Sequence, residues 1–274
     1  MVEKSPFLQR NFYINIFRHR LFAQFTEPVL EHSHPAPATL VFLHEGLGSI
    51  AQWRDFPSCL STLTGLPCLV YERLGYGSSD ALNEQRTVRY LHDEALISLP
   101  EILEQCNIHD AILIGHSDGG SIALIYAAVH GDKICGVITE AAHVFVEDLT
   151  INGILRAVKL YETTDLKNRL YQFHRDNTDQ MFRAWADTWL APWFRSWNIE
   201  EYLSQITCPL LVIQGEEDKY GTKAQLESII KQVNGSVEGL MIPNCGHVPH
   251  HQARERVLNE MARFIRHIIQ SQRN

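Results

Sequence analysis

Residues 115–119 read Gly-His-Ser-Asp-Gly, which places Ser117 within the pattern Gly-x-Ser-x-Gly. An apolar run, Ala111 to Ile114, precedes this pattern, and a segment with helical spacing follows it. A strand that turns sharply into a helix holds the central residue in strained backbone geometry, and small residues two positions either side let the chain pass without clashes. The pattern therefore predicts that Ser117 is a nucleophile.

A serine hydroxyl needs a hydrogen-bonded base, which a carboxylate must hold in the correct tautomer. Asp218 ends an acidic turn after the apolar run 210–213, where it can reach the carboxyl edge of a parallel sheet. His247 follows the strand candidate 237–241 and is preceded by Gly246. We therefore expect Asp218 to be the orienting acid and His247 to be the general base.

Other side chains could take these two roles. The alternative acids are Glu216, Glu217 and, more distantly, Glu140. The alternative bases are His250 and His251. A lone histidine is usually structural or solvated, but the glycine before His247 and its position after a strand favour it over both neighbours.

The negative oxygen formed after serine attack requires backbone N–H donors, each worth on the order of 3 kcal/mol. One donor is predicted to be the amide of Asp118. The other is predicted to be Gly46, in the loop 44–48 that follows the strand candidate 39–43. Glu45 and Asp118 bring carboxylates close to this oxygen, so each must turn into a polar network, be matched by a cation, or receive a positively charged group of a substrate, such as an amine.

Short β-rich runs alternate with helical patterns along the chain, which predicts an α/β fold with a mostly parallel sheet flanked by helices. The predicted strands are an opening antiparallel hairpin within 12–25, then 39–43, 68–71, 111–114, 135–139, 210–213 and 237–241. The predicted helices span 87–105, with a kink or join at Pro100, 121–130 and 253–269.

Residues 147–205 break this alternation because they contain no convincing strand and carry helical spacing throughout. We interpret residues 147–206 as a helical cap inserted into a core domain made of residues 1–146 and 207–274. Four tryptophans recur every fourth residue in the cap: Trp185, Trp189, Trp193 and Trp197. Pro192 must interrupt or restart the helix between them. Such a stripe fixes a lid to the main domain or forms an aromatic substrate wall, and Phe145, Trp185 and Trp189 are the candidate pocket residues.

Five segments together resemble the α/β-hydrolase fold family in order and spacing: 43–46, 75–79, 115–120, 215–218 and 246–247. The sharp turn at residues 115–119, in which Asp118 follows Ser117, resembles that of small esterases of the biphenyl-hydrolase-like and valacyclovir-hydrolase group. This resemblance covers essentially the whole chain and implies an eight-stranded sheet with a helical cap. Glu45, where the family commonly has glycine, and Asp118, where a neutral residue often stands, depart from its pattern.

The composition excludes several classes of protein. With 274 residues, 45% hydrophobic and 20% charged, the chain is an ordinary globular protein with one catalytic domain as the default. A net charge of −8 without a basic cluster argues against nucleic acid as a partner. The six cysteines lie too far apart for a zinc site.

The chain has no apolar run near the ~20 residues that a membrane span needs, and polar residues interrupt its first twenty positions. We therefore expect no membrane partner and a cytoplasmic location. Neither a metal nor an organic cofactor is required, and both a monomer and a homodimer fit the sequence.

The predicted reaction is hydrolysis of a small carboxylic ester through an acyl-enzyme at Ser117. Thioesters, lactones and the C–C bonds of vinylogous diketones are alternative substrates for the same residues, and a non-catalytic ligand receptor with this fold is a further alternative. Dehalogenase and epoxide-hydrolase chemistry is disfavoured, because it needs a carboxylate at position 117.

Overall fold

The computed structural model describes residues 7–29 and 36–271, which contain one eight-stranded sheet with the order β1-β2-β4-β3-β5-β6-β7-β8. The strands are β1 (Phe7–Ile16), β2 (His19–Pro28), β3 (Thr39–Leu43), β4 (Cys68–Tyr71), β5 (Ala111–His116), β6 (Ile134–Glu140), β7 (Leu210–Gly215) and β8 (Val237–Ile242). The first two form an antiparallel hairpin that pairs antiparallel with β4, and all other pairs are parallel. The predicted mostly parallel eight-stranded sheet is confirmed.

Helices cover both faces of the sheet. They are α1 (Phe56–Thr64), α2 (Tyr90–Asp93), α3 (Leu99–Gln105), α4 (Asp118–His130), α5 (Asp148–Thr163), α6 (Leu166–His174), α7 (Thr178–Leu190), α8 (Glu200–Leu203), α9 (Lys223–Gln232), α10 (Pro249–Gln252) and α11 (Arg254–Ser271). Every residue of β4, β5, β6 and β7 is buried, as expected of strands that are covered on both sides.

The helix predicted over 87–105 begins at Tyr90 and is interrupted by a π-helical turn, Glu94–Ser98, before α3. Pro100 is the second residue of α3. Because the first residues of a helix have no intrahelical N–H bond to lose, the proline is accommodated at this join. The other two predicted helices are present as α4 and α11, with bounds shifted by at most three residues.

The segment between β6 and β7 contains α5, α6, α7 and α8. A single β-bridge pairs Phe145, at its beginning, with Asn198, near its end. Residues 1–6, 30–35 and 272–274 of the predicted core domain lie outside the described residues.

The four tryptophans do not share one helix: as expected from Pro192, α7 ends at Leu190, before that proline. Trp185 and Trp189 lie on α7 and are buried, and Trp197 is also buried against the core. Trp193 instead follows Pro192 in a short 3-10 turn and is 48% exposed.

The parallel register brings the carboxyl ends of four strands to one edge of the sheet. Leu43 of β3 pairs with Gly115 of β5, and Gly215 of β7 pairs with Ile242 of β8. The loops that follow these strands therefore carry the predicted functional residues to a common edge. Among the described residues, no helix is both long enough and apolar enough to cross a membrane.

Candidate active site

Ser117 lies at a sharp turn between β5 and α4, with φ of 53° and ψ of −115°. This left-handed conformation strains any residue other than glycine. The neighbouring glycines are required by space: a Cβ on Gly119 would lie 2.0 Å from the carbonyl oxygen of Leu43, and one on Gly115 would lie 2.2 Å from that of Gly119. The glycines thus let the chain make the turn that presents Ser117 to the sheet edge.

Ser117, His247 and Asp218 form one chain of hydrogen bonds. Ser117 Oγ lies 3.0 Å from His247 Nε2, and His247 Nδ1 lies 2.8 Å from Asp218 Oδ2. Asp218 also accepts hydrogen bonds from the backbone N–H of Tyr220 at 2.8 Å and from Gln214 Nε2 at 2.7 Å. Although burial opposes its ionisation, the His247 ring and the Tyr220 amide lower the pKa of Asp218. The arrangement can hold a neutral imidazole with Nε2 free to take the serine proton.

The alternative acids and bases lie elsewhere. Glu216 and Glu217 are exposed. Glu140 and His250 are buried and pair with each other, at 2.5 Å between Oε2 and Nδ1. His251 Nε2 is 2.8 Å from the backbone carbonyl of Gln52.

Gly46 borders the same cavity as Ser117, and Trp185 packs directly on it. A Cβ at Gly46 would lie 2.3 Å from the indole Nε1 of Trp185, so this close contact requires glycine. Tyr76 donates from its hydroxyl to the Gly46 carbonyl oxygen at 3.1 Å. The loop is therefore fixed by contacts on both sides.

The Asp118 side chain is buried in a polar network rather than directed at a free position. Its Oδ2 atom accepts a hydrogen bond from the Tyr90 hydroxyl at 3.0 Å and lies 3.6 Å from Arg73 Nη1. Tyr90 in turn accepts from Trp189 Nε1 at 2.7 Å. The Asp118 carboxylate is therefore matched by a cation within the protein.

Glu45 is the more accessible of the two carboxylates, with 23% of its side chain exposed. Its Oε2 atom lies 3.6 Å from Nδ1 of His116, whose Nε2 donates to the His247 carbonyl oxygen at 2.6 Å. Burial opposes the charge on each of these two groups, but their contact holds the pKa of Glu45 well below its usual range and raises the pKa of His116. The Glu45 carboxylate is thus paired with the His116 ring inside the protein.

A cavity of about 280 Å³ opens beside Ser117. Its wall includes the predicted residues Glu45, Gly46, Asp118, Trp185 and Trp189, together with apolar side chains of α5 and α6, namely Ile154, Leu166 and Leu170. Phe145 is not part of this wall; it lies between β6 and α5, where it pairs with Asn198.

Sequence reasoning missed His143, which also borders the cavity. Its Nε2 atom lies 3.1 Å from the Tyr220 carbonyl oxygen, and burial, together with the nearby His247, lowers the pKa of the ring. Only its position just beyond β6, at the edge of the sheet where Ser117 also lies, could have indicated that His143 belongs to the candidate site. Within residues 7–29 and 36–271, no group of three or more histidine, cysteine, aspartate or glutamate residues could hold a metal ion.

Residues 40–260 match the family model described as the alpha/beta hydrolase family. Among curated proteins, proline iminopeptidase of Saccharolobus solfataricus is 25% identical in an alignment that covers 82% of this chain and 84% of that protein. The 2-succinyl-6-hydroxy-2,4-cyclohexadiene-1-carboxylate synthase of Escherichia coli is 26% identical over 171 residues, which cover 62% of this chain and 61% of the synthase.

Solved structures share the fold over nearly the whole chain. The enol-lactonase of Burkholderia xenovorans superposes with a TM-score of 0.73 at 18% identity, covering 92% of this chain and 99% of the enzyme. VinJ superposes with a TM-score of 0.67 at 23% identity, covering 94% of this chain and 99% of VinJ.

Proposed function

This chain belongs to the alpha/beta hydrolase family, and we propose that it is a serine hydrolase that cleaves small carboxylic esters through an acyl-enzyme at Ser117. The observation that carries this proposal is the hydrogen-bonded chain from Ser117 Oγ through His247 to Asp218, at 3.0 and 2.8 Å. These distances are short enough for direct proton transfer between the hydroxyl and the imidazole.

In the first half of the reaction, Ser117 Oγ attacks the ester carbonyl carbon while its proton passes to His247 Nε2. The C–O bond to the alcohol then breaks, and His247 returns the proton to the leaving oxygen. In the second half, water attacks the acyl-enzyme, gives a proton to His247 and releases the acid, after which Ser117 recovers its proton. Asp218 holds the ring and stabilises its charged form throughout.

The backbone N–H groups of Gly46 and Asp118 are proposed to bind the negative oxygen of each tetrahedral intermediate. Asp118 is the first residue of α4, so its amide is one of the N–H groups that the helix leaves without an internal partner. The two nearby carboxylates do not oppose this role, because Asp118 is paired with Arg73 and Glu45 with His116. We therefore propose that the two carboxylates serve these pairs and do not bind an amine of the substrate.

The cap, residues 147–206, is proposed to set the substrate range. Its side chains Ile154, Leu166, Leu170, Trp185 and Trp189 form the apolar part of the cavity wall. A cavity of about 280 Å³ with an apolar wall favours a small, mainly apolar acyl group.

The catalytic role of Ser117 is tested by covalent labelling with a fluorophosphonate, followed by intact-mass measurement. We expect one adduct on the wild type, no adduct on Ser117→Ala, and an unchanged adduct on the control Ser78→Ala, which replaces an exposed serine. An unlabelled wild type, or an adduct that persists in Ser117→Ala, would refute the proposal.

The reaction subtype is tested with p-nitrophenyl esters of graded acyl length, run beside a thioester, a lactone, a vinylogous diketone and a prolyl amide. The lactone and the prolyl amide are included because similar proteins are named enol-lactonase and proline iminopeptidase. We expect the highest kcat/KM for a short acyl ester. A higher value for any of the other four substrates would overturn the ester assignment while leaving the serine mechanism intact.

A further inference from the structure

The Glu45–Gly46 peptide group contains the Gly46 N–H of the proposed mechanism, and three donors hold its carbonyl oxygen. Arg73 Nη2 donates to the Glu45 oxygen at 2.8 Å, and the backbone N–H of Gly48 donates to it at 3.1 Å. His44 Nδ1 lies 2.7 Å from the same oxygen. Because His44 Nε2 accepts from the Arg73 backbone N–H at 3.1 Å, Nδ1 is the ring nitrogen that carries the hydrogen.

A trans peptide group is planar, so its C=O and N–H bonds point in opposite directions. Fixing the Glu45 carbonyl oxygen therefore fixes the direction of the Gly46 N–H. Of the three donors, Arg73 is the one that comes from another part of the sheet edge: it follows β4, whereas His44 and Gly48 belong to the same loop as Glu45.

The same guanidinium also lies near the side chain of Asp118, the residue whose backbone N–H is the second proposed donor. Its Nη1 atom lies 3.6 Å from Oδ2 of Asp118, the first residue of α4. Arg73 and Asp118 are each only 1% exposed. A guanidinium presents several N–H groups in a rigid plane and can hold two segments at once, whereas the ammonium of lysine is a single flexible point of charge.

We propose that Arg73 is a positioning residue for the oxyanion hole, because it ties the Glu45–Gly46 peptide to the start of α4 and so sets the spacing of the two N–H donors. Arg73 acts through the backbone and does not touch the substrate. The inference rests on the proposed serine-hydrolase function. Since such donors stabilise charge that develops only in the transition state, a shift of one donor lowers kcat and leaves KM nearly unchanged.

The test compares Arg73→Lys and Arg73→Met with Arg86→Met. Arg86 is a matched control because its guanidinium belongs to the same cluster: Nη2 donates to the Tyr76 hydroxyl at 2.7 Å, and the group lies over the Tyr90 ring. Its contacts in the described part of the chain include neither the Glu45 carbonyl nor Asp118. We expect kcat to fall about 10- to 100-fold in both Arg73 variants, with KM within about threefold of wild type, and only a few-fold loss in Arg86→Met.

A second readout reports on the oxyanion itself. A trifluoromethyl ketone with a short acyl chain adds to Ser117 Oγ and forms a hemiketal, whose pKa is measured by ¹³C NMR of the labelled carbonyl carbon. Weakening the stabilisation of the anion tenfold raises this pKa by about 1. We expect the hemiketal pKa to rise by that amount or more in the Arg73 variants and not to rise in Arg86→Met. A purely structural role of Arg73 would not produce this difference.

An unchanged hemiketal pKa in the Arg73 variants, or losses of kcat equal to that of Arg86→Met, would overturn the role of Arg73. If Arg73→Met does not fold, Arg73→Lys gives the same comparison, because it keeps the charge and the aliphatic stem. A wild-type protein that forms no hemiketal at Ser117 would instead refute the proposed function, so the two failures are distinguishable.

Discussion

The sequence left two roles open for the Asp118 carboxylate: it pairs with a cation within the protein, or it binds an amine of the substrate. Replacing Asp118 with alanine distinguishes these roles. If the carboxylate serves mainly as the partner of Arg73, Asp118→Ala leaves a buried guanidinium without its counterion. At 3.6 Å and an effective dielectric constant of about 20, the lost attraction is about 5 kcal/mol. Breaking a buried ion pair from one side typically costs about 3–5 kcal/mol.

We expect Asp118→Ala to lower the free energy of unfolding by about 3 kcal/mol, at the lower end of that range, because the Arg73 guanidinium keeps its hydrogen bonds to the backbone carbonyl oxygens of His44 and Glu45. Urea denaturation at pH 7 and 25 °C measures the change. Asp132→Ala is the control, because this carboxylate is exposed and its removal should change the free energy by less than about 0.5 kcal/mol. The double variant Asp118→Ala/Arg73→Met should lose less stability than the sum of the two single variants, since neither charge is left alone.

The same variant tests whether Asp118 binds an amine. We measure kcat/KM for matched alanyl and propanoyl esters of one alcohol and expect their ratio to stay within about twofold of wild type, because the backbone N–H of residue 118 is retained. The reasoning is refuted if Asp118→Ala changes the free energy of unfolding by less than about 1 kcal/mol, or if hydrolysis of the alanyl ester alone falls about tenfold.

Two further substitutions test the turn at Ser117 and the wall of the cavity. Gly119→Ala places a Cβ 2.0 Å from the Leu43 carbonyl oxygen, so we expect a loss of at least ~3 kcal/mol in unfolding free energy and more than a tenfold loss in kcat/KM. The control is Gly131→Ala, whose Cβ would come no closer than 3.7 Å to its neighbours and should not destabilise the protein. Equal effects in the two variants would contradict the steric argument. Trp189→Phe removes the hydrogen bond to Tyr90 and part of the cavity wall. We therefore expect the free energy of unfolding, measured by thermal or urea denaturation, to fall by about 1–3 kcal/mol and longer acyl esters to be hydrolysed relatively faster. Trp193→Phe, at a half-exposed position, should change neither measurement, and a matching loss there would contradict this role of Trp189.

Much of the fold could be predicted because its central strands are continuous apolar runs bounded by glycine-rich turns. The run 111–114 and the glycines at 115 and 119 indicated both a buried strand and the turn after it. The helix over 87–105 was placed less accurately, since apolar spacing does not distinguish an α-helical turn from the π-helical turn at Glu94–Ser98. Pro192 indicated a break in the tryptophan stripe, but spacing alone did not show that Trp193 lies half exposed in the 3-10 turn that follows.

The polar network behind the candidate site could not be predicted from local pattern. Arg73 and Asp118 are 45 positions apart in the chain, and their pairing depends on the order in which β4, β3 and β5 are arranged in the sheet. Likewise, Glu45 was recognised as an unusual carboxylate, but its partner His116 became evident only once β3 and β5 lay side by side. Sequence pattern identifies residues that follow strands; topology decides which of them meet.

The order of the candidate triad along the chain has a consequence for protein synthesis. His247 lies 130 residues after Ser117, and the helices α5 to α8 lie between the two in the chain. At a translation rate of about 5–20 residues per second, a ribosome needs roughly 7–26 s to add that stretch. During this interval the emerging polypeptide contains the serine but not the histidine, so the hydroxyl stays chemically inert until β8 joins the sheet. On the proposed mechanism, a nascent chain that has not yet gained His247 therefore hydrolyses no ester.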